Sequence, residues 1–238
     1  MKIVNLSFSY NDTPIFENFN LDIKQQSICT LVGASGCGKT TLLKLISNLE
    51  IPSAGEIIKS EQEMGSVSYL FQETRLLRSQ TTFSNIDIIL KNSIKDKNER
   101  KDTVLYYLER VGLVQDRQKY PSELSGGMKQ RVAIARAFAY PSHLILMDEP
   151  MQGLDISSKY DVLDLFKEMW ASDPRTTIFV THDLRDALMM GDSVVCLGDL
   201  DKPKLNIDLL GKKPLSDEAI GLYENQILRA ILNKEIKK

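Results

Sequence analysis

An apolar run, Ser27 to Val32, leads directly into Gly33-Ala34-Ser35-Gly36-Cys37-Gly38-Lys39-Thr40, and beyond it Leu42, Leu43, Leu45, Ile46 and Leu49 recur at helical spacing. Strand, glycine loop and helix in that order restrict the chain to an α/β class with a parallel sheet. The loop fits G-x-x-x-x-G-K-[ST]. Its glycines let backbone N–H groups converge on phosphate oxygens without side-chain clashes. The helix that follows, opening at Thr40 and Thr41, turns its positive N-terminal end to the same anion. Lys39 can neutralise the β and γ phosphates, and the Thr40 hydroxyl can ligand Mg²⁺. This pattern implies a nucleotide phosphate and leaves ATPase, GTPase and kinase open.

A second apolar run, Leu144 to Met147, ends in Asp148 and Glu149. Ligands of open α/β sheets bind at the carboxyl ends of the strands, which is where both acids stand. Asp148 is expected to hold Mg²⁺, directly or through water, and Glu149 to orient and polarise an attacking water. A base at this position favours hydrolysis over phosphoryl transfer to a second substrate.

Between these two runs lies Leu124-Ser125-Gly126-Gly127-Met128. Ser125 is an N-cap residue type, the two glycines expose backbone donors, and Met128, Val132, Ala135 and Ala139 form an apolar stripe that Pro141 closes. This is a second anion-binding helix start in the same chain. One nucleotide does not need two complete cradles from one subunit. Two subunits facing head to tail, each lending one cradle to each of two nucleotides, account for both.

The 238 residues suit one sizeable domain, and a net charge of −2 gives no broad basic face for nucleic acid. No apolar stretch reaches the length of a membrane span, and Met1 to Leu6 alternates like a strand and lacks the long apolar core of a signal peptide. The expectation is a chain made and kept in the cytosol. Cys29, Cys37 and Cys196 show no metal spacing; Cys29 and Cys196 lie in apolar runs and read as core residues, and Cys37 as a small residue that fits the loop.

The first thirty residues read as short antiparallel strands, with Asn11 to Pro14 as turn formers. Pro52 to Gly55 reads as a turn, and Gly65 to Gln72 contains a strand with Val67 and Tyr69 on one face. From about Thr82 to Ala139 the pattern is helical and more polar, with a charged stretch from Lys91 to Asp102 read as a solvated helix face or loop. Continuous apolar runs at Leu144–Met147, Thr177–Val180 and Val194–Leu197 have the character of parallel strands buried on both faces. Amphipathic helices are expected over Tyr160–Trp170 and Leu184–Met190, and one capped helix with a basic tail over Ser216–Lys238. The expected arrangement is a nucleotide-binding core of residues 1–75 and 138–200, a helical insert at 76–137, and a tail at 201–238.

With these motifs in place the chain resembles the ATP-binding-cassette (ABC) ATPases along nearly its whole length. The resemblance implies a P-loop NTPase with a RecA-like parallel core, an N-terminal antiparallel β subdomain and an inserted α-helical subdomain. Tyr10 matches the aromatic residue that stacks on adenine. Gln72, after Ser68-Tyr69-Leu70-Phe71, matches the glutamine that senses the γ-phosphate and Mg²⁺ and borders the contact to the membrane subunits. Ser125, Gly126 and Gly127 match the run that touches the nucleotide of a second copy, and Gly153-Leu154-Asp155 the loop that crosses the dimer interface. His182, in Phe179-Val180-Thr181-His182-Asp183, matches the histidine that contacts the γ-phosphate and supports the catalytic Glu149.

Within that family the chain is most similar to the ATPase subunits of bacterial importers for nitrate, sulfonates, taurine and thiamine precursors. The likeness rests on Gly36 to Leu43, on Leu70-Phe71-Gln72-Glu73 with Leu76-Leu77, and on Met128 after the double glycine. Two departures are Arg78-Ser79, where a proline-tryptophan pair is usual, and Asp186, where glutamate is commoner. The resemblance implies ATP and Mg²⁺ as cofactors and a homodimer on the cytoplasmic face of the membrane. It also implies transmembrane permease subunits, an extracellular or periplasmic substrate-binding protein, and no nucleic-acid partner. The alternative is a non-transport ABC ATPase acting on the ribosome or DNA. A monomeric phosphate-loop kinase leaves the Ser125 run, Glu149 and His182 together without a role.

Overall fold

Asn11 and Asp12 both adopt left-handed backbone angles, φ 46° and 65°, the geometry of a two-residue hairpin turn. They join strand β1 (Lys2–Tyr10) to β2 (Thr13–Asp22), with Tyr10 opposite Thr13 and Phe8 opposite Phe16. The computed structural model describes residues 1–232. After the hairpin come β3 (Ile28–Val32), α1 (Lys39–Ile46), β4 (Ala54–Ile58), β5 (Val67–Leu70), α2 (Thr82–Leu90), α3 (Lys97–Arg110), α4 (Gly126–Ala139) and β6 (Leu144–Asp148). The chain continues through α5 (Ile156–Ser172), β7 (Thr176–Val180), α6 (Leu184–Met190), β8 (Ser193–Cys196), β9 (Leu205–Asp208) and α7 (Asp217–Ile231). It forms two compact units, one of Met1–Gly65 with the chain from Arg175 onward, the other of Ser66–Pro174.

In the first unit β1 lies between β2 and β4 in an antiparallel sheet. β4 is a correction to the expected turn: Ala54 already pairs with Ser7, and Gly55 is part of the strand. The pairing with β1 shifts register between Val4 and Ser7, and Gly55 at φ 80° accommodates it, since a Cβ there would stand 2.2 Å from the Asn5 carbonyl oxygen. A second sheet has β3 between β7 and β8, both parallel to it. Every residue of β3 and β7 is buried, as their uninterrupted apolar runs require. β9, within the stretch expected as tail, adds antiparallel to β8. Helices α6 and α7 cover this sheet through Ala187, Leu188, Ile220 and Ile227, packed with Val32, Val194 and Cys196. Ser216 caps α7 by accepting from the Ala219 amide at 3.2 Å; residues 233–238 of the expected terminal helix lie outside the described residues.

Cys29 and Cys196 are buried core residues, and burial pushes both thiols up to about 11.

In the second unit β5 and β6 pair in parallel, with Ser68 beside Ile145. Helix α4 packs against α2, α3, α5 and β5. The sequence stripe along α4 is too narrow: Gln130, Ala133, Ile134, Ala137 and Phe138 are buried as well as Val132, Ala135 and Ala139. Phe138 and Phe166 of α5 meet with ring centroids 5.6 Å apart. Asp96 caps α3 by accepting from the Asn98 and Glu99 amides, so the charged stretch from Lys91 is a loop leading into an exposed helix.

Candidate functional site

The first unit carries the glycine loop. β3 ends at Val32, and α1 begins at Lys39 with Gly38 as its N-cap at φ 98°. Any other residue at 38 would be strained there, and its Cβ would come within 2.8 Å of Ile15 and 2.9 Å of Phe16 on β2. The hairpin therefore closes against the loop. Lys39 is buried, and its ammonium donates to the carbonyl oxygens of Gly33 (2.9 Å) and Ala34 (3.0 Å). Cys37 is half-buried, with its Sγ 4.0 Å from the same ammonium.

β3 and β7 end in step, Leu31 pairing with Val180. Gly33 and His182 thus leave the carboxyl edge of this sheet from adjacent strands, each two residues beyond that pair. His182 lies in the connection between β7 and α6 rather than in the strand. Asp183 beside it caps α6, accepting from the Arg185 and Asp186 amides. Tyr10 closes the hairpin end of β1; its ring meets Phe8 edge-on at 4.8 Å, and its hydroxyl donates to Oε1 of Glu50 at 3.2 Å.

The second unit carries the remaining residues. Asp148 is the last residue of β6, and Glu149 follows with φ 46°. A non-glycine residue holds that left-handed conformation at a cost of about 1 kcal/mol or more, and such outliers gather at working sites. The turn is closed by the Gln152 amide donating to the Glu149 carbonyl at 3.1 Å. The Tyr69 hydroxyl donates to Oδ2 of Asp148 at 3.4 Å. Gln72 donates through Nε2 to Oε1 of Gln152, which ties the segment after β5 to the segment after β6 and leaves Oε1 of Gln72 for other partners.

Ser125 caps α4, its Oγ accepting from the Met128 amide at 3.2 Å. A Cβ on Gly126 would stand 3.2 Å from Leu154, and one on Gly127 3.4 Å from Ser158. The two glycines thus allow α4 to start directly against the loop that opens α5. Asp155, in that loop, caps α5 by accepting from Ser158. The backbone and side-chain hydrogen bonds from Ser158 hold its carboxyl below the usual range.

Lower on α4, Arg136 donates to the carbonyl oxygens of Thr74 (3.0 Å) and Arg75 (3.2 Å). Burial lowers the pKa of this guanidinium, and the two carbonyls offset its desolvation. Nearby is an open groove of about 390 Å³ lined by Glu73, Arg75, Leu76, Arg78, Pro121 and Lys129, among others. Three cations against one carboxylate make it basic.

Among the described residues no group of three or more His, Cys, Asp or Glu side chains could hold a metal ion by itself. The donors expected for Mg²⁺ are a hydroxyl, an amide oxygen and one carboxylate. Such hard oxygens fit a cation held mainly by substrate phosphates and water.

Four interacting residues have no signal in the sequence: Glu50, Tyr69, Arg136 and Gln152. Only their reach in three dimensions identifies them.

Comparison with known proteins gives concordant results. The family model described as ABC transporter matches residues 16–152. The chain is 36% identical to an aliphatic sulfonates import ATP-binding protein of Rhodopseudomonas palustris, over 98% of the chain and 83% of that protein. It is 34% identical to another of that description from Agrobacterium fabrum, over 98% and 90%. Among solved structures it is similar to a dimeric ATP-binding cassette in a post-hydrolysis state bound to ADP and Pi, at TM-score 0.74 and 28% identity, covering 88% of this chain and 99% of that one.

Proposed function

This chain belongs to the ABC transporter family and is an ATPase; on that premise we propose that it powers a bacterial importer as a homodimer closed around two Mg-ATP, driving a separate permease. No described helix is long and apolar enough to cross a membrane, so the span falls to permease subunits, with this chain at the cytoplasmic face of the membrane. A substrate-binding protein outside the cell completes the assembly. An aliphatic sulfonate is the cargo that the relatives' names suggest.

In this reading the backbone of Gly33 to Thr41 cradles the phosphates and Tyr10 stacks on adenine. Lys39 leaves the Gly33 and Ala34 carbonyls for the β and γ oxygens. Thr40, Asp148 and Gln72 would hold Mg²⁺, which when bound supplies charge neutralisation on the phosphates. Glu149 takes the proton of the attacking water, and His182 holds the γ-phosphate and supports Glu149. Residues 76–137 form the helical subdomain, and Ser125, Gly126 and Gly127 contact the partner's nucleotide, with Asp155 at the interface.

The observation that carries this function is the presence in one chain of two helix starts with glycine at or beside the N-cap, at Gly38 and at Ser125. The groove beside Gln72 is the surface offered to the permease. The test is purification of Glu149→Gln with ATP and Mg²⁺ from detergent-solubilised membranes of its own host, with mass spectrometry of what accompanies it. A multi-span permease supports the importer assembly. Ribosomal or DNA-associated partners without a membrane protein would leave the ATPase chemistry and remove the transport role.

A further inference from the structure

A ladder of stacked side chains crosses the second unit from the basic groove to Asp148. The Arg75 guanidinium lies 3.7 Å from the centroid of the Phe71 ring. That ring stacks on Tyr69 with centroids 4.1 Å apart and planes 16° apart. Tyr69 then donates its hydroxyl to Oδ2 of Asp148 at 3.4 Å. Tyr69 lies in β5 and Phe71 directly follows the strand, two positions on, the spacing that puts side chains on one side of an extended chain. Arg75, at the outer end, lines the groove and takes a left-handed φ of 44°, with its carbonyl fixed by Arg136.

A phenol is ordinarily protonated near neutral pH, so the Tyr69 hydroxyl can act as the donor in this bond. A neutral donor on one carboxylate oxygen fixes the rotamer and aims the other oxygen, as partners of metal-facing carboxylates do.

We propose that Tyr69 is a positioning residue for the Asp148 carboxylate, and that the Arg75–Phe71–Tyr69 stack links that carboxylate to whatever fills the basic groove. This rests on the reading of Asp148 as the carboxylate facing Mg²⁺. Two ends of one rigid ladder then share a state: a partner group that draws Arg75 off Phe71 loosens the stack, and Tyr69 with it.

The test uses the full chain with ATP and Mn²⁺ as the spectroscopic probe. Electron paramagnetic resonance reads Mn²⁺ affinity, and phosphate release at graded Mg²⁺ reads turnover. Tyr69→Phe, which removes one oxygen and keeps the stack, is expected to weaken Mn²⁺ binding about tenfold. It should raise the half-saturating Mg²⁺ to match, with kcat at saturating Mg²⁺ and metal-free ATP affinity unchanged. Arg75→Ala is expected to move both in the same direction by about threefold, a change within the range of an exposed cation–π contact, and Arg75→Lys to restore them. Wild-type Mn²⁺ affinity in Tyr69→Phe overturns the positioning role, as does a loss of metal-free ATP binding, which marks a merely structural residue. Wild-type affinity in Arg75→Ala overturns the link to the groove. Asp148→Asn separates the two readings: if it leaves Mn²⁺ affinity intact, the assignment of Asp148 fails, and if it alone weakens binding, only the ladder fails.

Discussion

Lys39 turns its ammonium back onto its own loop, 2.9 Å from the carbonyl oxygen of Gly33. The charge meets carbonyl dipoles in a buried setting, so the loop holds its shape around Lys39 before any phosphate arrives. Lys39→Met removes the ligand of both the carbonyls and the phosphates. ATP hydrolysis measured by phosphate release is expected to fall by at least about 100-fold, the range for loss of one electrostatic contact to a transition state. Retained turnover would mean that Lys39 serves the loop alone.

Glu149→Gln keeps the shape of the turn after β6 and removes the base. The variant is expected to bind ATP and dimerise with turnover reduced about 10²- to 10⁴-fold, read by phosphate release and light scattering on the same sample. Near-normal turnover would remove Glu149 from the chemistry.

Ser125→Arg replaces an exposed cap with a long cation at the start of α4. ATP binding by the monomer is expected to stay within about twofold, because the cradle at Gly33–Thr40 is untouched, while ATP-dependent dimer closure is lost. Light scattering with and without ATP decides the point, and unchanged closure would sink the assignment of two cradles to two subunits.

Glu63 supplies a pH dependence. Its buried carboxylate accepts from Thr176 Oγ at 2.5 Å and from the Ser60 amide at 3.1 Å. Burial alone would raise its pKa, but these bonds and neighbouring positive charge outweigh it and hold the carboxyl below its ordinary value of 4.5. A lowered carboxyl pKa stabilises the fold above the unfolded-state value, and that stabilisation is lost as pH falls through the folded value. Wild-type urea midpoints should therefore drop between about pH 5 and pH 3 more steeply than those of Glu63→Gln. Parallel curves for the two proteins would exclude Glu63 as a contributor to acid unfolding.

Strands buried on both faces were legible because burial writes itself as an uninterrupted apolar run; β3, β6, β7 and β8 fall within a residue of the runs that mark them. β4 was not, since four of its five residues are exposed and Gly55 reads as a turn residue; β9 alternates, Leu205 and Ile207 against Asn206 and Asp208, but over four residues only. The same divide holds at the site. Gly33–Thr40, Ser125–Gly127 and Asp148–Glu149 stand at fixed local spacings that a sequence displays. The bonds from Gln72 to Gln152, Tyr69 to Asp148 and Tyr10 to Glu50 join residues 80, 79 and 40 apart. Side-chain length and strand register decide them, and neither leaves a local pattern.

The two hydrogen bonds from Arg136 have a mechanical consequence. Thr74 and Arg75 form one wall of the groove, yet their carbonyls are tethered to the last turn of a fourteen-residue helix. Unless those tethers break, a displacement of that wall carries α4 along as a rigid rod. Its N-terminus, Ser125, lies eleven residues up the chain from Arg136, about 16 Å at the rise of an α-helix. The wall and the Ser125 cap are therefore two ends of one rod, and a push at the wall is delivered at Ser125 with its travel set by where the rod pivots.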